Sequence, residues 1–327
     1  MAPQLESGIH ALNISGVPGV TLPRPFPHHQ NRLDADDKVL KQHGFPPKPD
    51  KSTKEYAAWA HTVSRALNFV QPTFTQLPIC KEAAYSGATN VPLKEPTVDN
   101  YKFTQVTGSW TVPRPTPQNW AFKECGWTPA EFFANTWIGI DDDRFRAGLA
   151  QDCITYSHQD TEYIVYPWYQ FSRDGEVYKE RIHGLVVRPG DLVRVYIRRD
   201  AGSIQSVVSF FNESAATYSS IFIDNVDFKG EKAFWIVEDP CPKSADPTLS
   251  YLGATNFFDC TTNQAGKDGM GEPAYARGNL YGATVSDIVA EGGTVSTTRL
   301  RKTEYQQDAD ILTITSEVRE PKIKVEG

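Results

Sequence analysis

Val106-Thr-Gly-Ser-Trp-Thr-Val112 places Val, Gly, Trp and Val on its even positions and Thr or Ser on its odd ones. A period of two sends successive side chains to opposite faces of an extended chain, so the stretch reads as a strand with one buried face. Val193, Val195 and Ile197 alternate with Arg194, Tyr196 and Arg198 in the same way. Further strands are expected over 137–140, 149–156, 163–171, 206–211, 233–238 and 311–315. Short strands punctuated by Gly, Pro, Asp and Asn predict an all-β fold, a two-sheet antiparallel β-sandwich of the lectin-like jelly-roll kind. The polar, Gly-rich run from Thr262 to Gly271 is expected to be a surface loop.

Upstream the pattern is different. Residues 33–43 read as a short helix stopped by Gly44 and Pro46-Pro47. Ser52-Thr-Lys-Glu55 has capping-box spacing and opens a second helix, with Tyr56, Trp59, Val63, Leu67 and Val70 on one face and Pro72 as its stop. Residues 1–84 are therefore expected to form an N-terminal arm with helices, either propeptide-like or a packing extension. Residues 85–327 are expected to form the sandwich.

Composition narrows the function. A net charge of −7 without a long Lys/Arg-rich run gives no footprint for nucleic acid. No apolar run approaches the ~18 residues of a membrane-spanning helix. The first residues lack a basic and then apolar leader pattern, which favours an intracellular protein. Cys80, Cys125, Cys153, Cys241 and Cys260 show no C-x-x-C spacing and read as reduced thiols. Asp141-Asp142-Asp143 reads as a polar turn rather than a cation site, and neither a metal nor another cofactor is expected.

Two strands hold the candidate chemistry. Gln151 shares a face with Leu149 and Cys153, whereas Glu238 shares one with Phe234 and Ile236. A carboxylate among apolar neighbours is partly desolvated, which suits it to proton transfer.

Taken together, these segments resemble the glutamic peptidases, or eqolisins. The family run "T-G-x-W/F-T-V-P" is matched by Thr107-Gly-Ser-Trp-Thr-Val-Pro113. The family's "A-W-V-G-I-D-G" and "L-Q-T-G" are matched by Thr136-Trp-Ile-Gly-Ile-Asp141 and Leu149-Ala-Gln-Asp-Cys153, with no gap between them. Tyr166-Pro-Trp-Tyr169, Pro189-Gly-Asp-Leu192 and Ala233-Phe-Trp-Ile-Val-Glu-Asp239 follow in family order.

The resemblance implies a hydrolase with a Gln/Glu dyad, carried here by Gln151 and Glu238. The Glu would act as base and then acid on water, and the Gln amide would stabilise the oxyanion. It also implies a substrate groove drawn from Tyr85, Asp141, Tyr166, Trp168, Tyr169 and Phe234, and a secreted location if family behaviour holds. Three positions depart from the family pattern: Tyr85-Ser-Gly87 replaces a Trp-bearing run, and Pro167 and Phe234 stand where the family has carboxylates. The substrate is thus left open between a peptide and a small molecule handled by a cyclase or isomerase. A non-catalytic lectin-like module is a third alternative.

Overall fold

Alternation of apolar and polar residues does produce a strand-dominated chain, and tight turns return it each time. The computed structural model describes residues 16–79, 83–117, 130–142, 144–156, 160–200, 202–240, 250–290, 293–302 and 309–316. The N-terminal segment contributes β1 (Val20–Thr21), α1 (Asp37–Gln42), α2 (Lys54–Ser64), β2 (Asn68–Phe69) and β3 (Thr73–Gln76). Then come β4 (Ala84–Asn90), β5 (Val98–Thr111), β6 (Ala130–Phe132), β7 (Asn135–Ile140), β8 (Phe145–Thr155), β9 (Thr161–Arg173) and β10 (Glu176–His183). The central hairpins are β11 (Leu192–Arg199), β12 (Gln205–Asn212), β13 (Thr217–Asp224) and β14 (Ala233–Asp239). The last strands are β15 (Ala254–Asp268), β16 (Pro273–Gly278), β17 (Thr284–Ser286), β18 (Ile288–Ala290), β19 (Gly293–Lys302) and β20 (Ala309–Ser316).

These strands form two sheets. The eleven-stranded sheet runs β1-β13-β12-β11-β5-β15-β20-β19-β18, with β16 on β15 and β2 on β13. The nine-stranded sheet runs β17-β4-β14-β7-β8-β9-β10-β3, with β6 on β8. Among the described pairings β2 lies parallel to β13, and the others are antiparallel. The core between the sheets takes Val106, Trp110 and Val195 from one side and Ile138, Leu149, Tyr169 and Trp235 from the other. Two packed antiparallel sheets are the sandwich that the alternation predicts.

The N-terminal segment differs from expectation in its detail. The second helix stops at Ser64, so Leu67 and Val70 lie beyond it, and its N-cap is Thr53, which makes no side-chain capping bond. Ser52 instead turns back to Asp50, through both its amide and its hydroxyl at 2.8 Å. The competing local bond removes the capping box. Helix α1 starts at Asp37 rather than at residue 33, capped by the Asp36 carboxylate, which accepts from the Val39 amide at 2.8 Å.

The segment is also part of both sheets. Val20 and Thr21 pair with Ile223 and Phe222, and Thr73 to Gln76 pair along His183 to Glu180. Its helices and the turn after α1 cover the outer face of the eleven-stranded sheet through Phe45, Trp59 and Val63, which pack on Tyr196, Phe211 and Tyr218.

The expected loop from Thr262 to Gly271 is mostly strand. Strand β15 continues to Asp268, held by β5 on one side and β16 on the other, and Asp268 and Gly271 form the tip of the hairpin. Pairing on both edges outweighs its poor strand propensity. Cys153 and Cys260 are buried free thiols, and burial pushes the Cys153 thiol up to about 12. The other three cysteines fall outside the described residues.

Candidate active site

Glu238 stands on β14 beside Asn135 of β7, which in turn pairs with Ala150 of β8. This register puts Phe234, Ile236 and Glu238 on the outer face of the nine-stranded sheet. Asn135 and Trp137 share that face, as do Arg146, Gly148, Ala150 and Asp152 from β8, and Tyr166, Trp168 and Gln170 from β9. Gly148 is required there: a Cβ on it would lie 2.1 Å from the Thr136 carbonyl oxygen and 2.6 Å from the Trp137 Cβ.

The polar centre of the face is an ion pair. Arg146 Nη1 donates to Glu238 Oε1 at 3.0 Å, and Asn135 Nδ2 donates to Glu238 Oε2 at 3.0 Å. The second guanidinium nitrogen, Nη2, donates to Gln170 Oε1 at 3.0 Å. The guanidinium lies over the rings of Trp137 and Trp168, at 5.1 and 5.7 Å. Glu238 is 2 % exposed. Arginine's fixed fork and weak hydration suit it to such a buried, stacked position. Removing one member of a buried pair strands the other charge, at a cost of about 3–5 kcal/mol.

A second carboxyl lies along the same face. Asp152 hydrogen-bonds Tyr166, with Lys179 and Arg181 nearby. Burial pushes its carboxyl up to about 7, against the opposing effects of the Tyr166 bond and the two cations. Lys179 sits over the Trp168 ring at 4.6 Å and Arg181 over the Tyr166 ring at 4.2 Å. Strand spacing and rise put the Cα atoms of Asp152 and Glu238 roughly 12 Å apart.

Of the residues expected in the site, Glu238, Tyr85, Tyr166, Trp168 and Phe234 meet on this face; the rings of the last four pack with Trp137 and Ile236. Gln151 does not join them. Its side chain points between the sheets, where Oε1 accepts from Thr136 Oγ1 at 2.5 Å and Nε2 donates to the Pro113 carbonyl at 3.3 Å. The expected convergence of Gln151 with Glu238 is therefore absent from this structure. The reason is parity: Ala150, not Gln151, shares the face of Asn135 and Glu238.

Two other expected groove residues lie elsewhere. Tyr169 faces inward, stacked on Phe171 with its hydroxyl on Glu180. Asp141, in the left-handed region at φ 56°, accepts from the backbone amides of Lys229, Gly230, Glu231 and Lys232, so it braces a turn.

Asn135, Arg146 and Asp152 escaped the reading of the sequence. Parity with Gly148 and Ala150 could have placed Arg146 and Asp152 on one face, but not opposite Glu238, since that depends on the register of β7.

The molecule is thus a two-sheet antiparallel sandwich with carboxyl groups set into an aromatic outer face. The chain belongs to the Peptidase A4 family, whose sequence model matches residues 91–311, and is a glutamic-endopeptidase-like enzyme. It is 25% identical to Aspergillopepsin-2 of Aspergillus niger over 226 residues, which span 65% of this chain and 73% of that protein. Among solved structures it is similar to SCP-B, a member of the eqolisin family of peptidases determined with the tripeptide Ala-Ile-His. That likeness has 15% identity and a TM-score of 0.44, covering 72% of this chain and 99% of the other. A fainter likeness, at 11% identity and a TM-score of 0.25, is to the enzymatically active domain of the bacteriophage CBA120 tailspike protein 2; it covers 59% of this chain and 29% of that one.

Proposed function

We propose that this chain hydrolyses amide bonds of a peptide substrate on the outer face of the nine-stranded sheet, with Glu238 as the general base. One observation carries the reading. Arg146 Nε, Trp137 Nε1 and Trp168 Nε1 are buried donors with no acceptor among the described residues, and they belong to the arginine paired with Glu238 and the two rings against its guanidinium. Buried donors are rarely left unmatched, and the carbonyl oxygens of a bound substrate are acceptors of the right kind.

Each Glu238 oxygen holds one donor and keeps a second lone-pair direction for water. In the proposed step Glu238 takes a proton from that water as its oxygen bonds to the scissile carbonyl carbon. The carbonyl electron pair moves to the oxygen, where the Asn135 amide and the Arg146 guanidinium stand as donors. Collapse then breaks the C–N bond as a proton passes to the leaving nitrogen. Glu238, protonated in the first step, is the source of that proton.

In this scheme the carboxamide beside the base is that of Asn135, and Gln151 holds β8 to the end of β5. The alternative dyad, Gln151 with Glu238, requires Gln151 to leave Thr136 and Pro113. Because Glu238 is 2 % exposed, the face must also open to admit a peptide.

The test is digestion of denatured casein by the full chain from strongly acidic to neutral pH, beside Glu238→Gln. Cleavage by the parent and its loss in the folded variant support the reading. Absence of cleavage at every pH removes the peptidase assignment, and a variant as active as the parent removes Glu238 as the base.

A further inference from the structure

A second recess lies across the sandwich from Glu238, between the N-terminal segment and the outer face of the eleven-stranded sheet. It encloses about 300 Å³. Pro46, Pro47 and the α2 residues Ala58 and Trp59 roof it, and Gln105, Thr107, Arg194, Tyr196 and Asp259 lie beneath. Its volume is at the lower end of the range typical of small-molecule sites, and it combines apolar walls with a few convergent polar groups, as such sites do.

The floor is held in place. Arg194, 4 % exposed, donates from Nε to Glu213 at 2.9 Å and from Nη2 to Asp259 at 2.7 Å. The Gln105 amide donates to Thr107 Oγ1 at 3.2 Å and accepts from Asn263 at 3.3 Å. Fixed polar groups of this sort lose little freedom when a ligand arrives.

A local distortion delivers Asp259 to the recess. The register of β15 against β5 shifts between Phe258 and Thr261, and Asp259 takes the left-handed conformation at φ 50°. A bulge re-aims a side chain, and a non-glycine residue held in this region is strained by about 1–3 kcal/mol. The Asp259 side chain stays 39% exposed although its partner Arg194 is buried. It thus retains accepting capacity toward the cavity.

The lining also constrains the ligand's charge. Arg194 and Arg277 are matched in the lining by Asp259 and Glu55, and Glu213 behind Arg194 adds a further carboxylate. An anion would meet a surplus of carboxylates, and a cation would give up its hydration beside the guanidinium groups of Arg194 and Arg277; a neutral ligand does neither.

We propose that this recess binds a small neutral aromatic molecule carrying hydroxyl or amide groups, independently of the Glu238 face. Its ring packs against Trp59, Pro47 and Tyr196. Its O–H or N–H donates to Asp259, and its carbonyl accepts from the Gln105 or Asn263 amide.

The probe is 4-hydroxybenzamide, titrated into the full chain by calorimetry and saturation-transfer NMR, with benzoate and benzylamine as charged counterparts. Binding in the millimolar range or tighter is expected. Ala58→Phe and Ile311→Trp fill the recess from different walls, and each should weaken binding by about tenfold or more, or ~1.4 kcal/mol. Glu238→Gln should leave it unchanged. The proposal is overturned if 4-hydroxybenzamide shows no binding up to its solubility. It is equally overturned if both filled variants, checked for folding by circular dichroism, bind as the parent does, or if either charged counterpart binds as well.

Discussion

Glu238 and Gln151 stand on the same sheet with one strand between them, and their side chains point to opposite sides of it. Glu238 meets Asn135 and Arg146 on the outer face; Gln151 meets Thr136 and the Pro113 carbonyl in the core. Substitutions at the two positions should therefore fail in different ways.

At Glu238, the isosteric Gln change removes the base, and with it the charge facing Arg146 and one of the two acceptors met by Arg146 and Asn135, so stability falls as well. A fall in kcat of about 10²–10⁴ is expected, with circular dichroism unchanged. Glu238→Ala also leaves Arg146 unpaired in a buried position. It should lower unfolding free energy by about 3–5 kcal/mol in a urea titration.

At Gln151, the Met change removes two buried hydrogen bonds from the core and leaves the Thr136 hydroxyl without its acceptor. The expected result is a loss of about 1–3 kcal/mol of stability with KM and kcat nearly intact. Asn135→Ala should give the reverse pattern in kcat. A Gln151→Met protein that is stable yet inactive would restore the Gln151/Glu238 dyad and displace Asn135.

Asp152 gives a pH dependence whose sign is fixed. Its carboxyl is pushed up to about 7, so the folded protein holds a proton that the unfolded chain releases near 4. Its contribution to stability is then complete at low pH and lost as pH rises from about 4 to about 7. Unfolding of the parent against Asp152→Asn should show the difference growing across that window.

Glu213 has the opposite sign. Burial alone would raise its carboxyl, but the charge of Arg194, with hydrogen bonds from Arg194 and Thr62, brings it below the usual carboxylate range. Its stabilising effect is present above the ordinary carboxylate pKa and is lost as pH falls through the lowered one. Because Thr62 belongs to α2, hydrogen exchange should show that helix loosening at strongly acidic pH, and Glu213→Gln should show it already at neutral pH without that dependence.

Much of this was legible in the chain. Alternation identified the sandwich and put Phe234, Ile236 and Glu238 on one face, whereas Tyr166 and Trp168 were drawn to it only by the family resemblance. The face of Gln151 was legible as well, since Leu149 and Cys153 share it and both are buried. Hidden was the offset across β7, because register is fixed by pairing partners rather than by either strand's own pattern. Tyr169 and Asp141 were misplaced for related reasons: a family motif is contiguous, whereas a strand sends its alternate residues to different surroundings. Thr262 to Asp268 is strand because neighbours on both edges hold it, which no local propensity records.

The N-terminal segment has one more consequence. Strands β1 and β2 occupy the free edge of β13, and β3 occupies that of β10, so the segment works as a selvedge on both sheets. Stripping it away would bare two rows of amides and carbonyls, each a template for another copy of the chain. A protein trimmed of this border would meet its own kind edge to edge, and its first symptom would be loss of solubility rather than loss of fold.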